Sequence, residues 1–174
     1  MQEKNRNQIL RSNSNVILGI DPGYDRVGWA IGKRGTKTAS GKFECVALGC
    51  IQTDKNETIF VRFKKIQSDL KEIIAHFEPT QLAIETVYFA KNKKTAMRVS
   101  EARGVIIGTC LDAGLEVLEY DPVEIKLAVT GNGRADKEAV EKMVRLQVNG
   151  SVNTFIDDAL DAVAIAMTCA VSLV

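Results

Sequence analysis

Five acidic side chains stand where their neighbours make a charge costly. Asp21 ends the apolar run "VILGID" (16–21), immediately before Pro22–Gly23, and Glu85 follows a second such run in "LAIETV". Asp157, Asp158 and Asp161 open the segment "DDALDAVAIA". A buried, unpaired carboxylate costs several kcal/mol or takes up a proton. Each acid alone has an ordinary structural reading, because an acid after a strand starts a turn and Asp157 or Asp158 suits a helix N-terminus. Asp161 resists that reading. It lies about one turn inside an otherwise apolar helix, and no basic residue occurs on that helix to pair with it. Residues three and four apart share a helical face, so Asp161 lies beside both Asp157 and Asp158. A divalent cation reconciles these acids, since hard oxygen ligands hold Mg²⁺ or Mn²⁺ between them. Four carboxylates supply enough ligands for one or two ions, and two ions clamp the attacking and leaving oxygens in phosphodiester hydrolysis.

The elements that must position these groups follow from periodicity. Residues 16–21 read as a first strand, "RVGWAIGKR" as a second and "ECVALGCIQT" as a third, with the polar "GTKTASGK" between the last two. Three strands in series with short connections make an antiparallel meander. "TIFVRFKKIQSDLKEIIAHF" has helical spacing of Ile59, Phe63, Ile66, Leu70, Ile73, Ile74 and Phe77, and stops before Pro79. "QLAIETVYF" is a fourth strand, "TAMRVSEARGVIIGTCLDAG" a long helix and "LEVLEYD" a fifth strand. "PVEIKLAVTG" and "ADKEAVEKMVRLQV" read as helical segments separated by "GNGR", and residues 157–173 as an apolar closing helix. This order predicts an α/β fold, a mixed five-stranded sheet with helices on both faces. If the fourth strand pairs beside the first, as crossover geometry allows, Asp21 and Glu85 come close together.

A length of 174 residues fits one domain with one core, here 16–174. The polar start "MQEKNRNQILRSNSN" (1–15) has no hydrophobic segment and reads as a flexible arm, not a secretory signal. No apolar run reaches the ~18 residues that cross a bilayer. Cys45, Cys50, Cys110 and Cys169 lack paired or framework spacing, which points to reduced thiols and a cytoplasmic protein. His76 is the only histidine, so a histidine-rich zinc site is excluded. The net charge of +1 says nothing about partners, but "KNKKTAMRVSEAR" (91–103) sets Lys91, Lys93, Lys94, Arg98 and Arg103 against one glutamate. It reads either as a solvated helix face or as a phosphate-contacting patch.

Acids on the first strand, the fourth strand and the last helix of such a sheet resemble those of the ribonuclease H-like nucleases. "ILGIDPG", "AIETVYFAKN", "SEARGV", "EIKLAVTGNGRADKEAVEKMV" and "DDALDAVAIA", in this order, resemble the RuvC family of crossover junction endodeoxyribonucleases, from about Val16 to Thr168. The resemblance implies an Mg²⁺-dependent resolvase of four-way DNA junctions in recombination and repair. Its metal ligands would be Asp21, Glu85, Asp158 and Asp161, with Asp157 a neighbour able to substitute. It also implies that Tyr88 stacks on bases at the opened crossover and that Lys126 and Lys137 lie near the scissile phosphate. The "SEARG" helix would form a homodimer interface, and the RuvA–RuvB branch-migration complex would be a partner. Gly104 and Gly108, four apart on that helix, would let a second helix approach closely, with Val105, Ile106 and Ile107 supplying apolar surface.

Three other readings compete. A related small nuclease acting on structured RNA, as in rRNA processing, shares the first motif, but "ETVYFAKN" resembles the junction resolvases. An actin-like nucleotide-binding fold needs two such domains around a cleft, and this chain holds only one. An inactive DNA-binding module would have little reason to keep four costly carboxylates.

Overall fold

The computed structural model describes residues 16–33, 43–87, 93–147 and 157–172. Strands β1 (Val16–Asp21), β2 (Arg26–Lys33) and β3 (Glu44–Gln52) form the expected antiparallel meander. Helix α1 (Ile59–Phe77) follows, then β4 (Gln81–Glu85), α2 (Lys93–Asp112) and β5 (Glu116–Tyr120). Helices α3 (Pro122–Thr130), α4 (Lys137–Gln147) and α5 (Asp157–Ser172) complete the chain. The sheet order is β3-β2-β1-β4-β5, with β4 parallel to both β1 and β5. The mixed five-stranded sheet read from the sequence is therefore the one observed.

Strand alternation divides the core into two layers. Leu18, Ile20, Val27, Ile31, Leu82 and Ile84 face α1 and α2, where they pack with Ile66, Leu70, Ala102, Ile106 and Cys110. Ile17, Ala30 and Ala83 face the other way, against α5, with Ile125 of α3 and Val140 and Val144 of α4 behind it. Each large side chain so buried contributes about 1.5–3 kcal/mol. Helix α5 is the central element of its layer, buried continuously from Ala159 to Ala170 except at Asp161. The small side chains of "ALDAVAIA" let it lie close on the sheet.

Local signals set the helix ends. Thr58 caps α1, and the αL residue Glu78 (φ 48°) ends it before Pro79. Asp121 and Glu124 form a reciprocal capping box at α3 with Pro122 in its first turn, and Gly131 (φ 75°) closes that helix. Several boundaries differ from the sequence reading, and two of them matter most. The fourth strand, expected through Phe89, ends at Glu85, the last residue paired with β5, while Tyr88 and Phe89 lie outside the described residues. The long helix ends at Asp112, not Gly114, which instead makes the left-handed turn into β5 (φ 82°). The N-terminal arm, the "GTKTASGK" connection and residues 148–156 lie outside the described residues. Among the described residues no helix is long and apolar enough to cross a membrane.

Candidate active site

The alternation that sorts the core also aims the acids. In β1, Ile17, Gly19 and Asp21 share the α5 face, and in β4, Ala83 and Glu85 do. The parallel ladder pairs Ile20 with Ile84, so Asp21 and Glu85 come one step beyond it, side by side at the strand ends. In β2 the residue opposite Asp21 is Gly28. A Cβ on Gly28 would lie 1.9 Å from the Asp158 carbonyl oxygen, and one on Gly19 would lie 2.3 Å from that of Ala162. These glycines open a trough in which the α5 backbone rests directly on the sheet. Asp158 and Asp161 are thereby lowered toward Asp21. The turn leaving Asp21 is pinned by the buried Arg62 of α1, which donates to the Tyr24 carbonyl (2.8 Å) and to Thr53 Oγ1 (2.9 Å) and pairs with Asp25.

The gathered acids perturb one another. Asp21 is pushed up from 3.8 to about 7, first by burial and then by the charges of Asp161, Glu85 and Asp158. Glu85 is raised by burial and by Asp161, partly offset by Lys126. Asp161 is raised by burial and lowered by its hydrogen bond to Lys137. Asp157, its side chain 68% exposed against 30% for Asp158, has no such hold on Asp21. Asp158 is therefore the nearer partner of the two.

Three cations border the acids. Lys137 of α4 donates to Asp161 Oδ2 at 3.2 Å and lies 3.9 Å from Asp157 Oδ2. Its own burial disfavours the charge, but Asp161, Asp157 and Glu141 outweigh this and raise its pKa. The expectation that Asp161 lacks a basic partner holds only within its own helix, because the partner comes from α4. Arg26 Nε pairs with Asp158 Oδ2 at 2.8 Å, and the Cys50 thiol is 3.9 Å from the same oxygen. Nothing in the sequence pattern singled out Arg26, Cys50 or Gly28 for this site. A cavity of about 230 Å³ opens here, with Glu85, Asp161, Lys126 and Lys137 at its polar side and Ile125, Val140 and Ile165 on its apolar wall.

Oxygen donors crowded enough to hold a proton near neutrality suit a hard divalent cation. Among the described residues, no three histidine, cysteine or acidic side chains converge as a ready ligand group. Asp161 and Asp158 turn instead to Lys137 and Arg26.

Other expected residues fall elsewhere. Lys93 and Lys94 open α2, while Tyr88 and Lys91 lie outside the described residues. Gly104 and Gly108 face outward, with nothing within 4 Å of a Cβ built on either. Ile106, expected to add apolar surface beside them, is instead fully buried against the sheet, because it lies on the opposite side of α2. Met97 (59% exposed) and Leu111 (57%) supply that surface. His76 is exposed at the far end of α1, edge-on to Phe77, near where Thr80 meets Val16 at the start of β1. No acid of the site is within its reach. None of the four cysteines is in a disulfide, and burial raises the Cys45 and Cys110 thiols to about 11 and about 12, which keeps them protonated.

Residues 17–169 match the family model of the crossover junction endodeoxyribonuclease RuvC. The crossover junction endodeoxyribonuclease RuvC of Brachyspira hyodysenteriae is 43% identical over 152 residues, 87% of this chain and 91% of that protein. That of Pseudothermotoga lettingae is 37% identical over 157 residues, 90% and 94% of the two chains. The structure of Thermus thermophilus RuvC superposes with a TM-score of 0.80 at 30% identity, covering 88% of this chain and 92% of that one. The same protein in complex with a Holliday junction substrate superposes equally well. The chain belongs to the RuvC family of crossover junction endodeoxyribonucleases.

Proposed function

We propose that this protein resolves four-way DNA junctions by paired, symmetric nicks, in homologous recombination and DNA repair. The observation that carries the proposal is the gathering of Asp21, Glu85, Asp158 and Asp161 at one end of one sheet face, bordered by Lys126 and Lys137. Asp21, Glu85, Asp158 and Asp161 would hold one or two Mg²⁺ ions, for which Mn²⁺ substitutes. When bound, such ions polarise a phosphoryl oxygen and lower the pKa of water. The protein's share is to hold the carboxylates on the rigid β1, β4 and α5, and to present the Lys126 and Lys137 ammoniums to the phosphate. Lys137, 3.2 Å from Asp161 Oδ2, would present its ammonium to a phosphate oxygen bound beside that acid. Lys91, Lys93 and Lys94 would steer the backbone of the arms toward this end of the sheet. The names of the matched relatives weigh against the structured-RNA reading. The direct test is cleavage of a labelled synthetic four-way junction with Mg²⁺, with linear duplex, RNA–DNA hybrid and structured RNA as controls. Cleavage of the RNA in preference to the junction would overturn the proposal.

A junction has approximate two-fold symmetry, and two nicks in one binding event need two sites at fixed separation. A C2 homodimer provides them through an isologous interface. We assign it to the exposed stripe of Met97, Gly104, Gly108 and Leu111 on α2, where both glycines lack a neighbour. Gly108→Glu is expected to sediment as a folded monomer and to leave singly nicked junctions. A wild-type protein that is monomeric at micromolar concentration yet cuts both strands in one encounter would remove the assignment. By resemblance, the RuvA–RuvB complex would deliver the junction, in the cytoplasm.

Tyr88, three residues past Glu85, is assigned to stacking on an unpaired base at the crossover. Tyr88→Ala is expected to weaken junction processing by about 1–3 kcal/mol, while Tyr88→Phe keeps the ring and stays near wild type. Equal losses from both substitutions in a cleavage titration would point to the hydroxyl and against stacking.

A further inference from the structure

We infer that Arg103 is a positioning residue for Glu85, holding the end of β4 so that the carboxylate meets its partners; this rests on reading Glu85 as one of the nuclease acids. Arg103 lies on α2 with its side chain 18% exposed. Its Nε donates to the backbone carbonyl of Glu85 at 3.1 Å. Its Nη2, shielded from solvent, lies 3.0 Å from Glu119 Oε1 of β5, at ion-pair distance but without hydrogen-bond alignment. The directional contact of the guanidinium is therefore the one to Glu85, and Glu119 anchors its charge.

Glu85 is where such support matters. The ladder between β1 and β4 stops at Ile84, and on the other side Glu85 is the last residue paired, with Tyr120. One further bond, from the Thr86 amide to the Tyr120 carbonyl (2.9 Å), ends the sheet there. The carbonyl and the side chain of Glu85 leave the same Cα, so a tilt of the peptide plane swings the carboxylate. Misplacement by about 1 Å costs a reaction on the order of 10²-fold. The layer that grips the carbonyl, α2, is on the opposite face of the sheet from the acids, so Arg103 fixes Glu85 without entering the site. A planar guanidinium spans two acceptors at fixed separation, which an ammonium does not. Arg103 also precedes Gly104 directly, so the helix offered to a second copy is the one that holds Glu85.

The test compares Arg103→Met, which keeps length but has no donor, with Arg103→Lys, Glu119→Gln and Glu85→Gln. Single-turnover junction cleavage is followed against Mg²⁺ concentration, with Mn²⁺ affinity by calorimetry and dimerisation by sedimentation. Arg103→Met is expected to cleave roughly 10–100-fold more slowly, to require more Mg²⁺ and to bind Mn²⁺ more weakly, as an intact dimer. Arg103→Lys should recover part of each loss, and Glu119→Gln most of it, because the bond to the carbonyl survives. Wild-type rate and metal affinity in Arg103→Met, beside an inactive Glu85→Gln, would overturn the inference. So would a loss in Glu119→Gln equal to that in Arg103→Met. If Arg103→Met fails to fold, unchanged metal affinity and rate in Arg103→Lys would overturn it instead. An active Glu85→Gln would overturn the reading of the site, not the role of Arg103.

Discussion

Asp21→Asn is expected to abolish junction cleavage while raising the melting temperature of the metal-free protein above neutral pH. Both effects have one origin, a carboxylate held where only a cation makes its charge tolerable. Asp21 has a pKa of about 7 when folded, against an ordinary value of 3.8, chiefly through burial and then through Asp161, Glu85 and Asp158. The folded chain thus binds this proton more tightly than the unfolded chain. The resulting stabilisation is complete below pH ~4 and is lost as pH rises to about 7. By pH 8 the ionised group opposes folding by up to about 4 kcal/mol, at 1.36 kcal/mol per pKa unit. Asparagine removes the charge but still buries an amide, so about half of that should be recovered, or roughly 4–8 °C. At pH 4 little of the gain should remain, since Asp21 is then protonated in the folded protein and nearly half protonated in the unfolded chain. Melting curves at pH 4 and pH 8 without metal check this, and a gain that is the same at both would count against it. With Mg²⁺ present, cleavage should fall about 10³-fold or more, as several kcal/mol of charge stabilisation are lost. Asp161→Asn should show a comparable loss of cleavage. Asp157→Asn should be mild, because that side chain is exposed and does not act on Asp21. A mild Asp158→Asn beside a severe Asp157→Asn would exchange those two assignments.

Gly28→Ala is expected to damage fold and cleavage together. The added methyl would meet the Asp158 carbonyl oxygen at 1.9 Å and its carbonyl carbon at 2.5 Å. Backbone atoms on a buried helix cannot rotate away, so α5 must lift from the sheet or β2 must bend. Overpacking of this kind costs about 1–3 kcal/mol and occasionally more, or several degrees in melting temperature for a chain of this size. Lifting the start of α5 also carries Asp158 away from Asp21, so metal affinity should fall even where the protein remains folded. Gly19→Ala, which clashes with Ala162 one turn further along the helix, should destabilise similarly but displace Asp158 less. Thermal melting and Mn²⁺ binding by calorimetry separate the two effects. Unchanged melting in Gly28→Ala would show that the helix does not rest on this trough.

Much of this arrangement was legible in the residues because it follows local periodicity. Apolar runs ending in Asp21 and Glu85 mark strands whose last side chain is charged, and the meander followed by alternating helix and strand dictates a mixed sheet. Asp158 and Asp161, three apart, must share a helix face whatever the fold. The tertiary structure decided which groups meet across elements. It chose Asp158 over Asp157 as the neighbour of Asp21, because the α5 backbone seats at Gly28 and leaves Asp157 outside. Asp161 received Lys137 from a different helix, and Asp158 received Arg26 from a distant strand. Ile106 went to the core and left Gly104 and Gly108 facing outward, since the packed side of α2 depends on where α1 and the sheet lie. Arg103 reached the Glu85 carbonyl across the layer boundary. Periodicity reports the face on which a side chain lies, but its partner is set by helix–sheet packing at the scale of single ångströms, which no local pattern encodes.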